Sequence, residues 1–286
     1  MFERLSLYAK LVRLDKPIGI LLLLWPTLWG LFAATGGWPN AQVLLIFMLG
    51  TICMRSAGCA MNDYFDRDVD LHVKRTKERV LTSGRIQPRE AWYVAAFLAL
   101  LSLVLVLSLN TLTLILAGVA GLLAVTYPLM KRFFAIPQAY LGIAFGFGIP
   151  MAFAAIQDRI PLAAWLMLLA NICWAIAYDT EYAMVDRDDD VRLGLKTSAI
   201  TFGHADRHWI AFFYLLTLLF LLASGWLLGY GGPFYLSLIV AALLACLHLY
   251  WIRNREREAC FKAFLHNTWF GMVIFVGFLI ETTFRN

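Results

Sequence analysis

Ten of the nineteen Asp and Glu residues in this 286-residue chain fall in two short stretches. The first reads Asn62-Asp63-Tyr64-Phe65-Asp66-Arg67-Asp68-Val69-Asp70, and the second runs from Asp179-Thr180-Glu181 through Asp186-Arg187-Asp188-Asp189-Asp190. At about 100° per residue, a helix continued through the first places Asp63, Asp66 and Asp70 within about 60° of one another. The same arithmetic brings Asp179, Asp186 and Asp190 within about 40°, turns Asp188 away and leaves Asp189 to one side. Carboxylates stacked on one face repel, so a cation between them is expected. Oxygen donors without an adjacent His or Cys suit Mg²⁺ better than zinc or iron. Mg²⁺ keeps several waters and takes one or two carboxylates plus phosphate oxygens, so two facing clusters could hold a diphosphate through bridging metals. A single cluster of this kind reads as ordinary solvated acids beside a helix end. Two, both in helical register, read as a site.

Basic residues of the right kind lie nearby. Lys74, Arg75, Arg79, Arg85 and Lys196 could reach a diphosphate, and arginine can grip phosphate or carboxylate with two parallel hydrogen bonds. Arg55 precedes Asn62 by seven residues, so it shares nearly the same helical face about 10 Å deeper. An arginine inside an apolar span is costly and is either functional or an internal ion-pair partner.

The elements that must position these groups are membrane helices. The chain is 61% hydrophobic and 15% charged, whereas soluble domains carry about 25% charged residues. Apolar runs long enough to cross a bilayer occur at 18–35, 41–61, 91–110, 112–130, 137–156, 162–184, 209–228, 234–252 and 264–284. No Ser/Gly/Pro-rich linker interrupts them. The expectation is therefore all-α: one integral membrane domain over residues 1–286, a polytopic bundle of about nine transmembrane helices. Of the 24 Lys and Arg residues, 21 fall in alternate connections, two in the opposite set and one, Arg55, inside a span. That asymmetry places the basic loops, and with them both acidic clusters, in the cytoplasm. It also accounts for the net charge of +5 through the lipid bilayer alone, with no nucleic acid as partner. The five cysteines are scattered without metal or disulfide spacing, and His204 and His208, at i and i+4, lack a third ligand for zinc. The first apolar run lacks a small-residue cleavage site and is expected to stay in the mature protein.

The motifs Asn62-Asp63-x-x-Asp66-x-x-x-Asp70 and Asp186-x-x-x-Asp190 resemble the paired aspartate motifs of the UbiA family of intramembrane prenyltransferases. Leu14-Asp15-Lys16-Pro17-Ile18-Gly19, Trp25-Pro26-Thr27-Leu28-Trp29, Tyr178-Asp179-Thr180 and Gly194-Leu195-Lys196-Thr197-Ser198 are similar to those of its bacterial members that prenylate 4-hydroxybenzoate in ubiquinone biosynthesis. The resemblance runs essentially the length of the chain. It implies a nine-helix bundle with a lateral opening to lipid at the bacterial inner membrane, and polyprenyl diphosphate and 4-hydroxybenzoate as substrates. It implies Mg²⁺ held by Asp66, Asp70, Asp186 and Asp190, with Asn62 and Asp63 supporting; Asp179, on the helical face of Asp186 and Asp190, joins the candidate metal set. The turn Tyr127-Pro128-x-x-Lys131-Arg132 is similar to a family segment that contributes Arg132 to the site. Arg55, Asn62, Lys74, Arg79, Tyr127, Lys131, Tyr178, Tyr182 and Lys196 form the candidate substrate-binding set. After Arg79 the family usually has Pro, and here Val80 follows.

The implied reaction is an ionising alkylation, in which the allylic C–O bond breaks and the activated ring, ortho to the acceptor hydroxyl, attacks the allylic cation. Tyr64, Phe145, Phe147, Trp174, Tyr178 and Tyr182 are candidate rings for that cation, set against the packing role that most aromatics of a membrane protein serve. Arg132 is the candidate for the acceptor carboxylate or the diphosphate. Three alternatives stay open: another acceptor such as a naphthoate, homogentisate or haem; a transporter using intramembrane acids; and a structural scaffold.

Overall fold

The computed structural model describes residues 2–72 and 76–284, without the side chains of Phe2, Val69, Lys131 and Arg132. Lys74, Arg75 and the side chains of Lys131 and Arg132 thus lie outside the described residues. Among those described, every regular element is helical, and nine segments are long and apolar enough to cross a membrane. The short helix α1 (Phe2–Leu11) precedes α2 (Ile18–Thr35), α3 (Ala41–Asp70), α4 (Pro88–Val106) and α5 (Thr111–Thr126). A 3₁₀ turn over Tyr127–Arg132 leads to α6 (Pro137–Gly146) and α7 (Gly148–Gln157), which together make one span broken at Phe147. Then come α8 (Leu162–Arg192), α9 (Ser198–Phe202), α10 (Asp206–Leu227), α11 (Gly232–Trp251) and α12 (Arg257–Phe284).

Hydropathy locates the spans but stops short of the true helix ends. The apolar runs 41–61 and 162–184 continue as helix to Asp70 and Arg192. Backbone hydrogen bonding does not end where side chains turn polar, so both acidic stretches are helical and keep their carboxylates in register.

Helix α8 is the axis of the bundle: 67% of its apolar window is buried, against 17% for α4 and 11% for α5. It packs on α6, α10 and α12, while α4 and α5 present Phe97, Leu103, Ile115 and Leu122 outward. Close crossings depend on glycines. A Cβ at Gly142 would stand 2.7 Å from the Ile172 Cα, and one at Gly30 would stand 2.9 Å from the Ile149 Cα. Without those side chains α6 closes on α8, and α7 on α2. An aromatic core then fills the interior, with Trp174 against Trp29, Tyr178 and Phe270 at ring-centroid separations of 5.1–5.6 Å.

Four helices also share a buried polar network. Asn267 accepts from the Trp174 indole (2.8 Å) and the Tyr214 hydroxyl (2.9 Å) and donates to Glu181 Oε2 (2.9 Å). Tyr214 also meets Glu181 Oε1 (3.0 Å) and His248 Nδ1 (3.0 Å). Polar groups with no water to turn to are costly unless paired, so this network ties α8 to α10, α11 and α12.

Candidate active site

A cavity of about 1240 Å³ runs from the charged end of the bundle into its apolar middle. Asn62 and Asp63 of α3 line it on one side and Asp179 of α8 on the other. Lys10, Arg13, Lys16, Glu78, Arg79 and Arg85 surround the charged end, from the N-terminal segment and the loop after α3. Deeper, Arg55, Tyr127, Phe145, Tyr178 and Tyr182 form the wall. An apolar limb passes between α3, α4 and α5, along Gly50, Leu103 and Gly121. Leu103 is also exposed on the outer surface, so this limb reaches the lipid-facing side.

The first cluster is held by arginines. Asp63 is fully buried and accepts from Arg13 Nη2 (2.6 Å) and Arg79 Nη1 (3.0 Å) through Oδ1. The same Arg79 nitrogen donates to Asp70 Oδ2 (2.6 Å), so one guanidinium spans two carboxylates a helical turn or more apart. Arg13 reaches this position because the chain reverses after α1 with a positive φ of 60° at that residue. Nothing in the sequence marks this role, since there Arg13 is only one basic residue among several in the N-terminal segment. Val80, in place of the family's proline, is buried, and its carbonyl accepts from Arg85 and Ile86 N–H groups, which closes the loop carrying Arg79.

Asp66, Asp70, Asp186 and Asp190 are all buried, while Asp188 is exposed and paired with Arg257 Nη2 (3.0 Å). Tyr127, at the turn after α5, lines the same cavity as Asp63 and Asp179. Among the described residues no three His, Cys, Asp or Glu side chains converge on a single point. The donor set fits Mg²⁺, which would take one or two of these carboxylates and its remaining oxygens from water and phosphate. The Oδ2 atom of Asp63 is buried without a hydrogen-bond partner among the described residues, the kind of acceptor a hydrated cation satisfies.

Arg55 sits where its spacing from Asn62 places it, in the cavity wall. Its Nε donates to the Gly19 carbonyl (3.3 Å), Nη1 meets the Cys59 sulfur (2.7 Å), and the guanidinium lies 5.6 Å from the Phe145 ring centroid. The Tyr178 hydroxyl in the same wall is buried with no hydrogen-bond partner among the described residues. Of the candidate rings, Phe145, Phe147, Tyr178 and Tyr182 line the cavity. Trp174 is fully buried in the aromatic core, and Tyr64 packs on Phe65, Trp92 and Arg67 outside the lining. Lys196 is exposed and reaches the Phe133 carbonyl (3.5 Å), bracing the turn after α5 rather than lining the cavity. Glu181, two residues after Asp179 on α8, turns inward to the Asn267 network instead of joining the cavity wall.

Fold and cavity together define a multi-pass membrane protein built around one amphipathic chamber, acid-rimmed at one end and open to lipid at the other. The family model of the UbiA prenyltransferase family matches residues 23–273, and the chain belongs to that family. It is 63% identical to a 4-hydroxybenzoate octaprenyltransferase of Cupriavidus metallidurans over 96% of this chain and 94% of that one. Its fold matches the apo structure of a UbiA homologue from Aeropyrum pernix K1 with a TM-score of 0.81 at 24% identity, covering 92% and 97% of the two chains. A UbiA homologue from Archaeoglobus fulgidus bound to GPP and Mg²⁺ superposes with a TM-score of 0.71 at 18% identity, covering 96% and 99%.

Proposed function

We propose that this protein transfers a polyprenyl chain from polyprenyl diphosphate to the ring of 4-hydroxybenzoate, as the name of its Cupriavidus relative suggests, in ubiquinone biosynthesis. The observation that carries the reading is that Asp63 of α3 and Asp179 of α8 line one cavity, which also holds the half-buried Arg55 and reaches lipid. A donor with an anionic head and a long apolar tail fits that shape end to end.

In this reading residues 1–286 form a single catalytic membrane domain. Asp66, Asp70, Asp186 and Asp190, supported by Asn62, Asp63 and Asp179, hold Mg²⁺, which when bound supplies Lewis-acid neutralisation of the leaving diphosphate. Arg79 faces the diphosphate at the charged end, and the sequence motifs assign Lys74, Lys131 and Arg132 to the same substrate set. The tail lies in the limb between α3, α4 and α5. Tyr178, Tyr182 and Phe145 present ring faces where the allylic cation forms, a contact worth about 0.5–2 kcal/mol per ring. Arg55 pairs with the acceptor carboxylate, since among the described residues it is the cation of the deep wall, and the Tyr178 hydroxyl donates a hydrogen bond to the same ligand. The acceptor ring then meets C1 of the donor, a carbon–carbon bond forms ortho to the hydroxyl, and loss of the ring proton restores aromaticity. The excess of Lys and Arg in alternate connections supports an acidic end on the cytoplasmic side of a bacterial inner membrane.

Membranes carrying the protein, given polyprenyl diphosphate and 4-hydroxybenzoate, are expected to form prenylated product with Mg²⁺ and none with EDTA, as read by mass spectrometry. Asp66→Ala and Asp186→Ala are each expected to lower the rate about 10²-fold or more. Product formation in EDTA, or either variant at full rate, overturns the assignment.

A further inference from the structure

Positive charge gathers where α10 begins and α11 ends, at the same end of the bundle as the acidic stretches. Asp206, fully buried at the start of α10, is taken up by Arg255, whose Nη2 and Nε donate to Oδ1 (2.7 Å) and Oδ2 (2.9 Å), with Arg187 Nη1 3.6 Å from Oδ2. Two further arginines stand beside this group, and among the described residues neither side chain pairs with a carboxylate. Arg207, in the first turn of α10, donates from Nη1 to the Arg253 carbonyl (3.1 Å), and its Nε is buried without a hydrogen-bond partner among those residues. Arg253, in the turn after α11, is exposed; its Nη1 donates to the Tyr250 carbonyl (3.1 Å) and its guanidinium lies 3.9 Å from the Tyr250 ring centroid. The two helices pack on each other and both span the apolar layer, with Trp209 and Phe212 of α10 and Leu247 and Tyr250 of α11 exposed just inside the arginines. A buried donor left unpaired is costly, and two guanidinium groups at the head of a lipid-facing surface fit an anion that carries apolar chains.

We propose that Arg207 and Arg253 form a binding site for the headgroup phosphate of an anionic phospholipid, whose acyl chains lie along the exposed residues of α10 and α11. The phosphate oxygens accept from the buried Arg207 Nε and from the Arg253 guanidinium, charge-assisted bonds that no carboxylate supplies there. Neither arginine lines the catalytic cavity, so the site is separate from that of the prenyl donor and does not depend on the reaction assigned above.

The test is a titration of phosphatidylglycerol into the full chain held in phosphatidylcholine nanodiscs, with the lipid that stays bound counted by native mass spectrometry. Wild type is expected to retain phosphatidylglycerol in preference to phosphatidylcholine. Arg253→Gln, which keeps the carbonyl that Arg207 uses, is expected to weaken that retention about fivefold, the contribution of one arginine beside an anionic headgroup. Arg207→Gln/Arg253→Gln is expected to weaken it further. Lys77→Gln/Arg89→Gln removes two exposed charges at the same end of the bundle and is expected to stay within about twofold of wild type. Inorganic phosphate in excess is expected to leave the lipid bound. The proposal is overturned if wild type shows no preference, if Arg253→Gln and the double variant retain the lipid as wild type does, or if Lys77→Gln/Arg89→Gln loses as much, since diffuse surface charge then suffices. Displacement of the lipid by inorganic phosphate also overturns it, because the corner is then a site for a free anion.

Discussion

Replacing Gly19 with alanine should disturb one substrate and spare the other. A Cβ at this position would stand 2.6 Å from Arg55 Nη2 and 2.9 Å from Nε. Ordinary contact begins near 3.5 Å, so the guanidinium must retreat by about 0.9 Å. The atoms that move are the far end of a flexible side chain, and alanine is the better helix former, so folding stability should stay within about 1 kcal/mol of wild type. What changes is the aim of Arg55, which loses the bond to the Gly19 carbonyl. A charge-assisted hydrogen bond to a carboxylate is worth about 1.5–3 kcal/mol, or roughly 10- to 150-fold in affinity. A displaced arginine keeps part of this, so the KM for 4-hydroxybenzoate should rise about tenfold. The assay is steady-state prenylation in nanodiscs, with the acceptor varied at saturating donor and Mg²⁺, then the donor varied at saturating acceptor. The donor KM and the half-saturating Mg²⁺ should change by less than about twofold, because Arg79 and the Asp clusters are untouched. A raised donor KM with an unchanged acceptor KM would move Arg55 to the diphosphate, and no change in either would remove it from the substrates.

Two further outcomes follow from the same geometry. Arg79→Ala removes the nitrogen shared by Asp63 and Asp70; the donor KM should rise about tenfold or more while the acceptor KM holds, and the converse pattern in steady-state kinetics would contradict the placement of Arg79 at the diphosphate. Asn267→Leu strips partners from Trp174, Tyr214 and Glu181 in the buried network; at about 1–3 kcal/mol per orphaned group the loss of stability should reach about 3 kcal/mol, and an unchanged unfolding midpoint in detergent would show that the network carries no such load.

Spans, helical register and the depth of Arg55 were readable from residues alone because hydropathy and the helical period are local properties of the chain. The register of Asp63, Asp66 and Asp70 needed only the assumption that the helix continues past Met61, which α3 bears out. Partners were not readable. Arg13 and Arg79 reach Asp63 across 50 and 16 residues, and Asp206 meets Arg255 across 49. Only the folded chain decides which basic residue answers which acid. Local pattern sets Asp179 and Glu181 on opposite faces of α8 but does not say which face lines the cavity and which turns to Asn267; that lies in which neighbour α8 meets on each face.

The sequence by itself thus determined a nine-span helical membrane protein with two acidic faces in register, since composition and periodicity act within a single helix. The tertiary structure alone decided that Asp63 and Asp179 of those faces border one chamber, that Trp174 and Lys196 stand outside its lining, and that arginines from distant segments neutralise particular carboxylates. Those outcomes depend on how helices cross, and the crossings are set by packing contacts between residues far apart along the chain.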